Sequence, residues 1–211
     1  MQAVQNPLKT EKVSKLLRTF AIPSIIAMLV SALYNIVDQV FIGWSIGALG
    51  NAATNVAFPL TTICIAIALM FGIGGASAFN LTMGEGDAKR AAFYVGNAIS
   101  MLVICGVVLC IVAHLFLTPM LRFFGSTQDI LGYAKTYTAI TAFGFPFLIL
   151  ATGGGHLIRA DGSPRFTMTC NLVGAIINLI LDPIFIFGFH WGMAGAALAT
   201  IIGQIVSAAL A

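Results

Sequence analysis

The chain has 211 residues, of which 59% are hydrophobic and only 8% are charged, and its mean hydropathy is +1.01. A water-soluble domain usually carries about 25% charged residues, so this composition excludes that class and indicates an integral membrane protein. The four cysteines lie in apolar stretches without a CxxC pair. This placement indicates a packing role rather than a disulfide framework or a metal site.

A polar, basic leader over 1–16 precedes a predicted membrane bundle over 17–211. The apolar stretches predict helical spans at about 17–44, 53–83, 92–117, 136–158, 166–189 and 193–211. Each of the first five reaches the roughly 20 residues needed to cross the hydrocarbon core, and the chain ends within the sixth. The first stretch is longer than the apolar region of a signal peptide and lacks a cleavage pattern, so we expect it to be retained. The predicted fold class is an all-α integral membrane protein, a polytopic six-helix bundle.

The connection over 118–134 is longer than the other connections between predicted spans. We expect it to be a linker. The alternative is that its first part, which carries Phe123 and Phe124, forms a short helix at the outer membrane surface.

The basic residues predict the orientation of the bundle. Eight of them fall on one side, in the leader and in the second and fourth loops: Lys9, Lys12, Lys15, Arg18, Lys89, Arg90, Arg159 and Arg165. The other side carries only Arg122 and Lys135. By the positive-inside rule, the N-terminus and the second and fourth loops are cytoplasmic in a multi-pass membrane protein.

The fifth span contains an ionisable residue, Asp182, within an otherwise apolar run. Such a group is unfavourable in hydrocarbon and is normally retained for function. Asn178 lies four residues earlier and therefore on the same helical face. Pro183 removes a backbone hydrogen bond and leaves a free carbonyl one turn earlier. A carboxylate, an amide oxygen and a free carbonyl together suit a small hard cation such as Na⁺, or a proton.

A second carboxylate, Asp38, lies in the first span with Tyr34 and Asn35 on the same face. At about 1.5 Å per residue, Asp38, Asp182 and Thr200 all fall within about 7–11 Å of the outer membrane boundary. We therefore expect the three to share one level of the bundle. The alternative is that Asp38 is simply the hydrated outer end of the first span, although three apolar residues follow it.

The sixth span presents a face of small and polar residues that continues this pattern. Its members are Gly192, Ala196, Thr200, Gly203, Gln204 and Ser207. Two carboxylates held close together in a low dielectric repel each other, and Na⁺ binding and protonation are two ways to relieve that repulsion. We interpret the pair as an ion-coupling site, with a purely structural role as the alternative.

Other features of the sequence have simpler interpretations. The glycine-rich segment over 72–77 indicates close helix packing. No nucleophile and base, or set of metal ligands, is spaced as in an enzyme, and His114, His156 and His190 lie far apart in the sequence. We therefore do not expect an enzyme.

The segment Asn178-Leu-Ile-Leu-Asp-Pro-Ile-Phe-Ile-Phe-Gly188, followed by Gly192-Met-Ala-Gly-Ala-Ala-Leu-Ala-Thr200, resembles a signature of the multidrug and toxic compound extrusion (MATE) transporters. Further features match: Pro23 with Asp38, Asn55 to Pro59, Gly84-Glu-Gly-Asp87 and Arg159-Ala-Asp-Gly-Ser-Pro164. The resemblance covers essentially the whole chain and is strongest to the bacterial branch of MepA-like and DinF-like proteins.

This resemblance implies a secondary antiporter of the bacterial plasma (inner) membrane that exports organic cations and other xenobiotics in exchange for H⁺ or Na⁺. The family has twelve spans in two six-helix lobes around a central cavity. This chain would be the N-terminal lobe, truncated in its sixth span, and its partners would be small-molecule organic cations or other xenobiotics, membrane lipid and the missing C-terminal lobe. A natural half-transporter is the alternative. No cofactor beyond the coupling ion and no nucleic-acid partner is implied.

The resemblance also implies roles for individual residues. The coupling-ion site, with Na⁺ as a possible metal, would comprise Asp38, Asn178, Asp182 and Thr200 with the backbone of Ala196. Pro23 and Pro183 would be positions of helix bending, and Tyr34, Asn35 and Gln204 further polar residues of the cavity. The polar residue that the family carries in its fourth span has no evident counterpart in Ala151-Thr-Gly-Gly-Gly155.

Two other functions remain open at this stage. One is a flippase for lipid-linked or polysaccharide intermediates, which needs a cavity rich in arginine or lysine, and the spans supply no obvious basic cluster. The other is an uncoupled channel or assembly subunit, against which the paired carboxylates argue.

Overall fold

The computed structural model describes residues 13–211, and nearly all of these are helical, with no strand among them. Eight α-helices follow one another: α1 (Val13–Ile46), α2 (Ala48–Gly84), α3 (Ala88–Leu115), α4 (Leu117–Phe123), α5 (Gln128–Ala142), α6 (Phe145–Ala160), α7 (Pro164–Pro183) and α8 (Gly192–Leu210). A π-helical turn, Ile184–Gly188, separates α7 from α8. Residues 1–12 of the predicted basic leader lie outside the described residues, and residues 13–16 belong to α1.

Five stretches of the described residues are long and apolar enough to cross a membrane: Ala21–Ile46, Ala48–Gly84, Ala88–Leu115, Pro164–Gly188 and Gly192–Leu210. The bent pair α5 and α6 passes the same test when its two helices are taken together. The prediction of an all-α membrane bundle is therefore confirmed, with six spans if the bent pair crosses as one.

The predicted fourth span, over 136–158, is two helices rather than one, because α5 and α6 meet at an angle of 56°. Pro146 has no backbone N–H and cannot continue the hydrogen-bonding ladder from α5. At the junction the backbone tightens, so that Phe143 N–H donates to Ile140 and Gly144 N–H donates to Thr141 at 2.8 Å. Hydropathy summed over the whole stretch hides this break because both halves are apolar.

The prediction of a linker over 118–134 is wrong, because the structure forms the short helix α4 there and starts α5 at Gln128. Pro119 stands in the first turn of α4, where its missing N–H would have no partner in any case. Leu121 is fully buried and fixes the helix to the bundle, while Phe123 is 86% exposed. The alternative of a short helix with an exposed phenylalanine is the one observed.

The bundle has a closely packed part and a loosely attached helix. α2 packs against α3 and α6, and α7 packs against α8 and α1. A Cβ atom on Gly72 would lie 2.7 Å from the backbone of Gly153, and one on Gly203 would lie 2.7 Å from the carbonyl oxygen of Gly174. Only 11% of the apolar stretch of α1 is buried. α1 thus packs along α7 but buries few of its own side chains, whereas α2 and α6 touch backbone to backbone.

The contact between α2 and α6 predicts that Gly72→Ala destabilises the protein. The new methyl group would meet the Gly153 backbone and force the helices apart, which typically lowers the free energy of unfolding by about 1–3 kcal/mol. Gly74→Ala, on the same helix, is the matched control because a Cβ there meets no atom within 4 Å. Thermal unfolding in detergent measures both, and equal midpoints for the two variants would contradict the prediction.

Candidate cation-coupling site

Two buried carboxyl groups face each other where α1 packs against α7. Asp38 of α1 is 6% exposed and Asp182 of α7 is fully buried. Their side chains lie close enough to interact directly. Two carboxyl groups at close range repel each other when both are ionised, and they can share a hydrogen bond when one of them carries a proton. The structure thus places side by side two residues that lie 144 positions apart in the sequence (182 − 38).

Asn178 completes this part of the site from the preceding turn of α7. It is 3% exposed, and its Nδ2 lies 3.5 Å from Asp182 Oδ1, which is a long hydrogen bond. Three oxygens of these side chains are buried without a hydrogen-bond partner within residues 13–211: Asp38 Oδ1, Asn178 Oδ1 and Asp182 Oδ2. Buried oxygens without partners are unfavourable, so the site has spare capacity for a proton or a cation.

α8 contributes a hydroxyl group and a carbonyl oxygen. Thr200 Oγ1 donates to the carbonyl oxygen of Ala196 at 3.0 Å, and Ala196 is fully buried. The Thr200 side chain interacts with the phenol of Tyr137 on α5, and that phenol also lies within the electrostatic field of both carboxyl groups. Tyr137 therefore lies beside Thr200 and within electrostatic range of the carboxyl pair.

Sequence reasoning missed Tyr137. The fourth span was expected to start at 136, which put Tyr137 at its hydrated end, and its polar contribution was sought instead at 151–155. In the structure α5 begins at Gln128, so Tyr137 lies nine residues into the helix, about 13 Å from its start. An earlier boundary for this span would have placed a tyrosine near the level of the two aspartates.

The remaining predicted residues are distributed around this cluster. Tyr34 interacts with Asp38 and with its neighbours Ser31 and Asn35. Asn35 is exposed, and its Nδ2 donates to the carbonyl oxygen of Ser31 at 2.7 Å along α1. Gln204 packs against Gly144 at the junction of α5 and α6, and its Oε1 is buried without a hydrogen-bond partner in the described part of the chain.

The two predicted bending positions lie outside the cluster of interacting side chains. Pro183 is the last residue of α7 and directly follows Asp182, and the π-helical turn begins after it. Pro23 is buried within α1, fifteen residues before Asp38 and so about 22 Å from it along the helix. α1 is helical on both sides of Pro23.

The donor set suits a proton or a hard monovalent cation. Residues 13–211 contain no group of three or more His, Cys, Asp or Glu that could hold a metal ion. The oxygen donors that the structure brings together here are the two carboxyl groups and the Asn178 amide. Such all-oxygen sets bind hard cations rather than transition metals.

Comparison with known proteins places this geometry in context. The family model MatE matches residues 23–184. The chain is 28% identical to the multidrug export protein MepA of Staphylococcus saprophyticus over 188 residues, which are 89% of this chain and 42% of that protein. It is 29% identical to MepA of Staphylococcus aureus (strain MRSA252) over 196 residues, which are 93% of this chain and 44% of that protein.

Solved structures share the same fold. The structure of the MATE multidrug transporter DinF-BH, solved as a complex, matches 97% of this chain with a TM-score of 0.89 and 37% identity, over 45% of its own length. An outward-facing multidrug resistance MATE transporter of the MOP superfamily matches 92% of the chain with a TM-score of 0.83 and 26% identity, over 43% of its length. The chain thus spans less than half the length of these relatives. Since the family model matches most of its residues, the chain belongs to the MATE family of multidrug efflux transporters.

Proposed function

We propose that this chain is the cation-coupling N-terminal lobe of a secondary antiporter that exports organic cations or other xenobiotics in exchange for H⁺ or Na⁺. The observation that carries the proposal is the buried Asp38–Asp182 pair: one oxygen of each carboxyl group, together with Oδ1 of Asn178, lacks a hydrogen-bond partner in the described chain. Structural carboxylates in a protein interior are normally paired with a basic group. Neither aspartate has an ion pair with lysine or arginine among residues 13–211.

The coupling step follows from the electrostatics of this pair. When both carboxyl groups are ionised and no cation is present, they repel each other and separate α1 from α7. When a proton or Na⁺ occupies the site, the repulsion is relieved and α1 docks on α7. Because so little of α1 is buried elsewhere, site occupancy can control its position at a modest free-energy difference.

Transport additionally needs a second lobe, because alternating access arises from two lobes that move against each other around a central cavity. In the proposed arrangement the N-terminus is cytoplasmic and the cavity lies between this chain and a second lobe. The multidrug export names of the relatives support xenobiotics as the substrate class. A flippase is less well supported because the buried polar side chains between α1 and α7 are acidic or neutral, whereas a cavity that carries phosphate groups needs arginine or lysine.

Dye efflux driven by an ion gradient tests the proposed activity. In membrane vesicles that contain the complete protein, we expect dye movement to follow an imposed H⁺ gradient or an imposed Na⁺ gradient, and the effective gradient identifies the coupling ion. Dye movement that ignores both gradients would contradict the antiporter and favour an uncoupled channel.

Removing either buried charge should abolish coupling. Asp38→Asn and Asp182→Asn keep the size of the side chain but cannot release a proton or neutralise a cation, so we expect gradient-driven efflux to be lost while the protein still folds. Asp161→Asn is the matched control because Asp161 is exposed in the loop before α7. Normal efflux by both site variants in vesicles, with folding verified by size-exclusion chromatography, would overturn the proposal.

The phenol of Tyr137 should tune the site. We expect Tyr137→Phe to weaken the apparent affinity for the coupling ion by about threefold to tenfold, the usual effect of one lost hydrogen bond. Tyr133→Phe, one turn earlier on α5, is the control because Tyr133 is 39% exposed. The measurement is the efflux rate as a function of coupling-ion concentration. An identical dependence in both variants would remove Tyr137 from the site.

A further inference from the structure

A cavity of about 530 Å³ lies where the starts of α1 and α7 meet, at the opposite end of α1 from Asp38. Three basic residues line it: Lys15 and Arg18 from α1 and Arg165 from α7, and all three are exposed. No acidic residue from the described part of the chain lines the cavity. We call this cavity, defined by its three basic residues, the basic cleft. Its charge fits an anion.

The position of the basic cleft along the membrane normal points to lipid. Arg18 is the last charged residue before Asp38 in α1, and Lys15 lies about 4.5 Å farther from Asp38 along the helix. Arg165 is the last charged residue before Asp182 in α7, so each arginine stands where a long uncharged run begins. The three positive charges are therefore at the level of phospholipid headgroups, where arginine and lysine attract anionic lipids.

The floor of the basic cleft is apolar. Ile22 and Ile26 of α1 and Met168 of α7 line it one to two turns deeper than the basic residues. Ile22 is 51% exposed and Ile26 is 41% exposed, so their side chains are open to an occupant. A free inorganic anion would gain nothing from these side chains, whereas the glycerol and first methylene groups of a lipid would pack against them.

We propose that the basic cleft binds the phosphate headgroup of an anionic phospholipid of the phosphatidylglycerol type. Arg18 and Arg165 approach the phosphate from two different helices, and guanidinium groups match phosphate oxygens in a bidentate geometry. The glycerol backbone lies over Ile22, Ile26 and Met168. This binding is independent of the proposed transport activity and requires no coupling ion.

A bound headgroup would also link the two helices. Pro23 lines the same cavity and lies within α1, where it interrupts the backbone hydrogen bonds of the helix. One phosphate held by Arg18 and Arg165 would therefore fasten the start of α1 to α7 on the far side of this interruption from Asp38. The lipid acts on the part of α1 that the carboxyl pair does not reach.

The test is a lipid-binding measurement on the complete protein in detergent by native mass spectrometry. Phosphatidylglycerol and phosphatidylcholine are titrated at equal concentrations, and inorganic phosphate is added in a third arm. We expect a preference for phosphatidylglycerol and a loss of about tenfold to thirtyfold in its affinity for R18Q/R165Q, on the basis of about 1 kcal/mol for each basic residue. The control K89Q/R90Q removes two exposed charges outside the basic cleft and should keep the affinity.

Several outcomes would overturn the proposal: equal binding of the two lipids by the unmodified protein, an equal loss in the two double variants, or displacement of phosphatidylglycerol by inorganic phosphate. The last would assign the basic cleft to a soluble anion. Because R18Q/R165Q can fail to fold, hydrogen–deuterium exchange of the unmodified protein in lipid nanodiscs provides a second test. Phosphatidylglycerol should protect the starts of α1 and α7 relative to phosphatidylcholine, and unchanged exchange at both would refute the site. None of these readouts depends on transport.

Discussion

Two carboxyl groups without a basic partner, packed between α1 and α7, are the constraint on which the rest of this structure depends. Among residues 21–46 of α1, the buried side chains are those of Pro23, Asp38 and Ile42. Beyond Pro23, the helix is therefore held in the bundle by one apolar side chain, Ile42, and by one carboxyl group whose charge would repel that of Asp182. In the proposed mechanism, a proton or cation relieves this repulsion, and the position of α1 follows the occupancy of the site.

A responsive helix needs a rigid body to move against, and the glycines supply it. The backbones of α2 and α6 touch at Gly72 and Gly153, and those of α7 and α8 touch at Gly174 and Gly203. In a membrane the hydrophobic effect does not drive helices together, because lipid tails are as apolar as the side chains. Van der Waals contact at close approach is therefore a main source of attraction between helices. α7 is thus held firmly by α8 while it presents Asn178 and Asp182 to α1. In the proposed mechanism, α7 is the fixed side of the site and α1 is the side that moves.

The sequence was sufficient for the features that follow from periodicity. Asn178 and Asp182 share a helical face because they are four residues apart, and the structure places both of them in the buried interface with α1. The glycine-rich segment was predicted to pack closely, and this is confirmed at Gly72. In each case the residue pattern within a single helix is enough to make the prediction.

The sequence was insufficient where two helices share one apolar stretch. Hydropathy predicts one span over 136–158, but Gly144 and Pro146 divide it, and α5 extends back to Gln128. That shift moves Tyr137 from a membrane boundary into the site. Mean hydropathy depends on which residues are present and not on the direction of the helix axis. It therefore has the same value for one straight apolar helix and for two apolar helices joined at a bend. The backbone chemistry of proline and glycine, rather than hydropathy, carries that information.

The two ends of α1 make opposite electrostatic demands. Beyond Pro23, Asp38 and Asp182 form the proposed site for a cation or a proton. At the start of the helix, Lys15, Arg18 and Arg165 line a cavity suited to an anion. Between them lies Pro23, where the helix lacks a backbone hydrogen bond and bends most readily. If a lipid phosphate fastens the start of α1 to α7, a change in ion occupancy moves only the segment of α1 that follows Pro23. Pro23 then separates a segment of α1 that the lipid anchors from a segment that responds to the ion. Because the first segment is held on α7, the second one would pivot about Pro23.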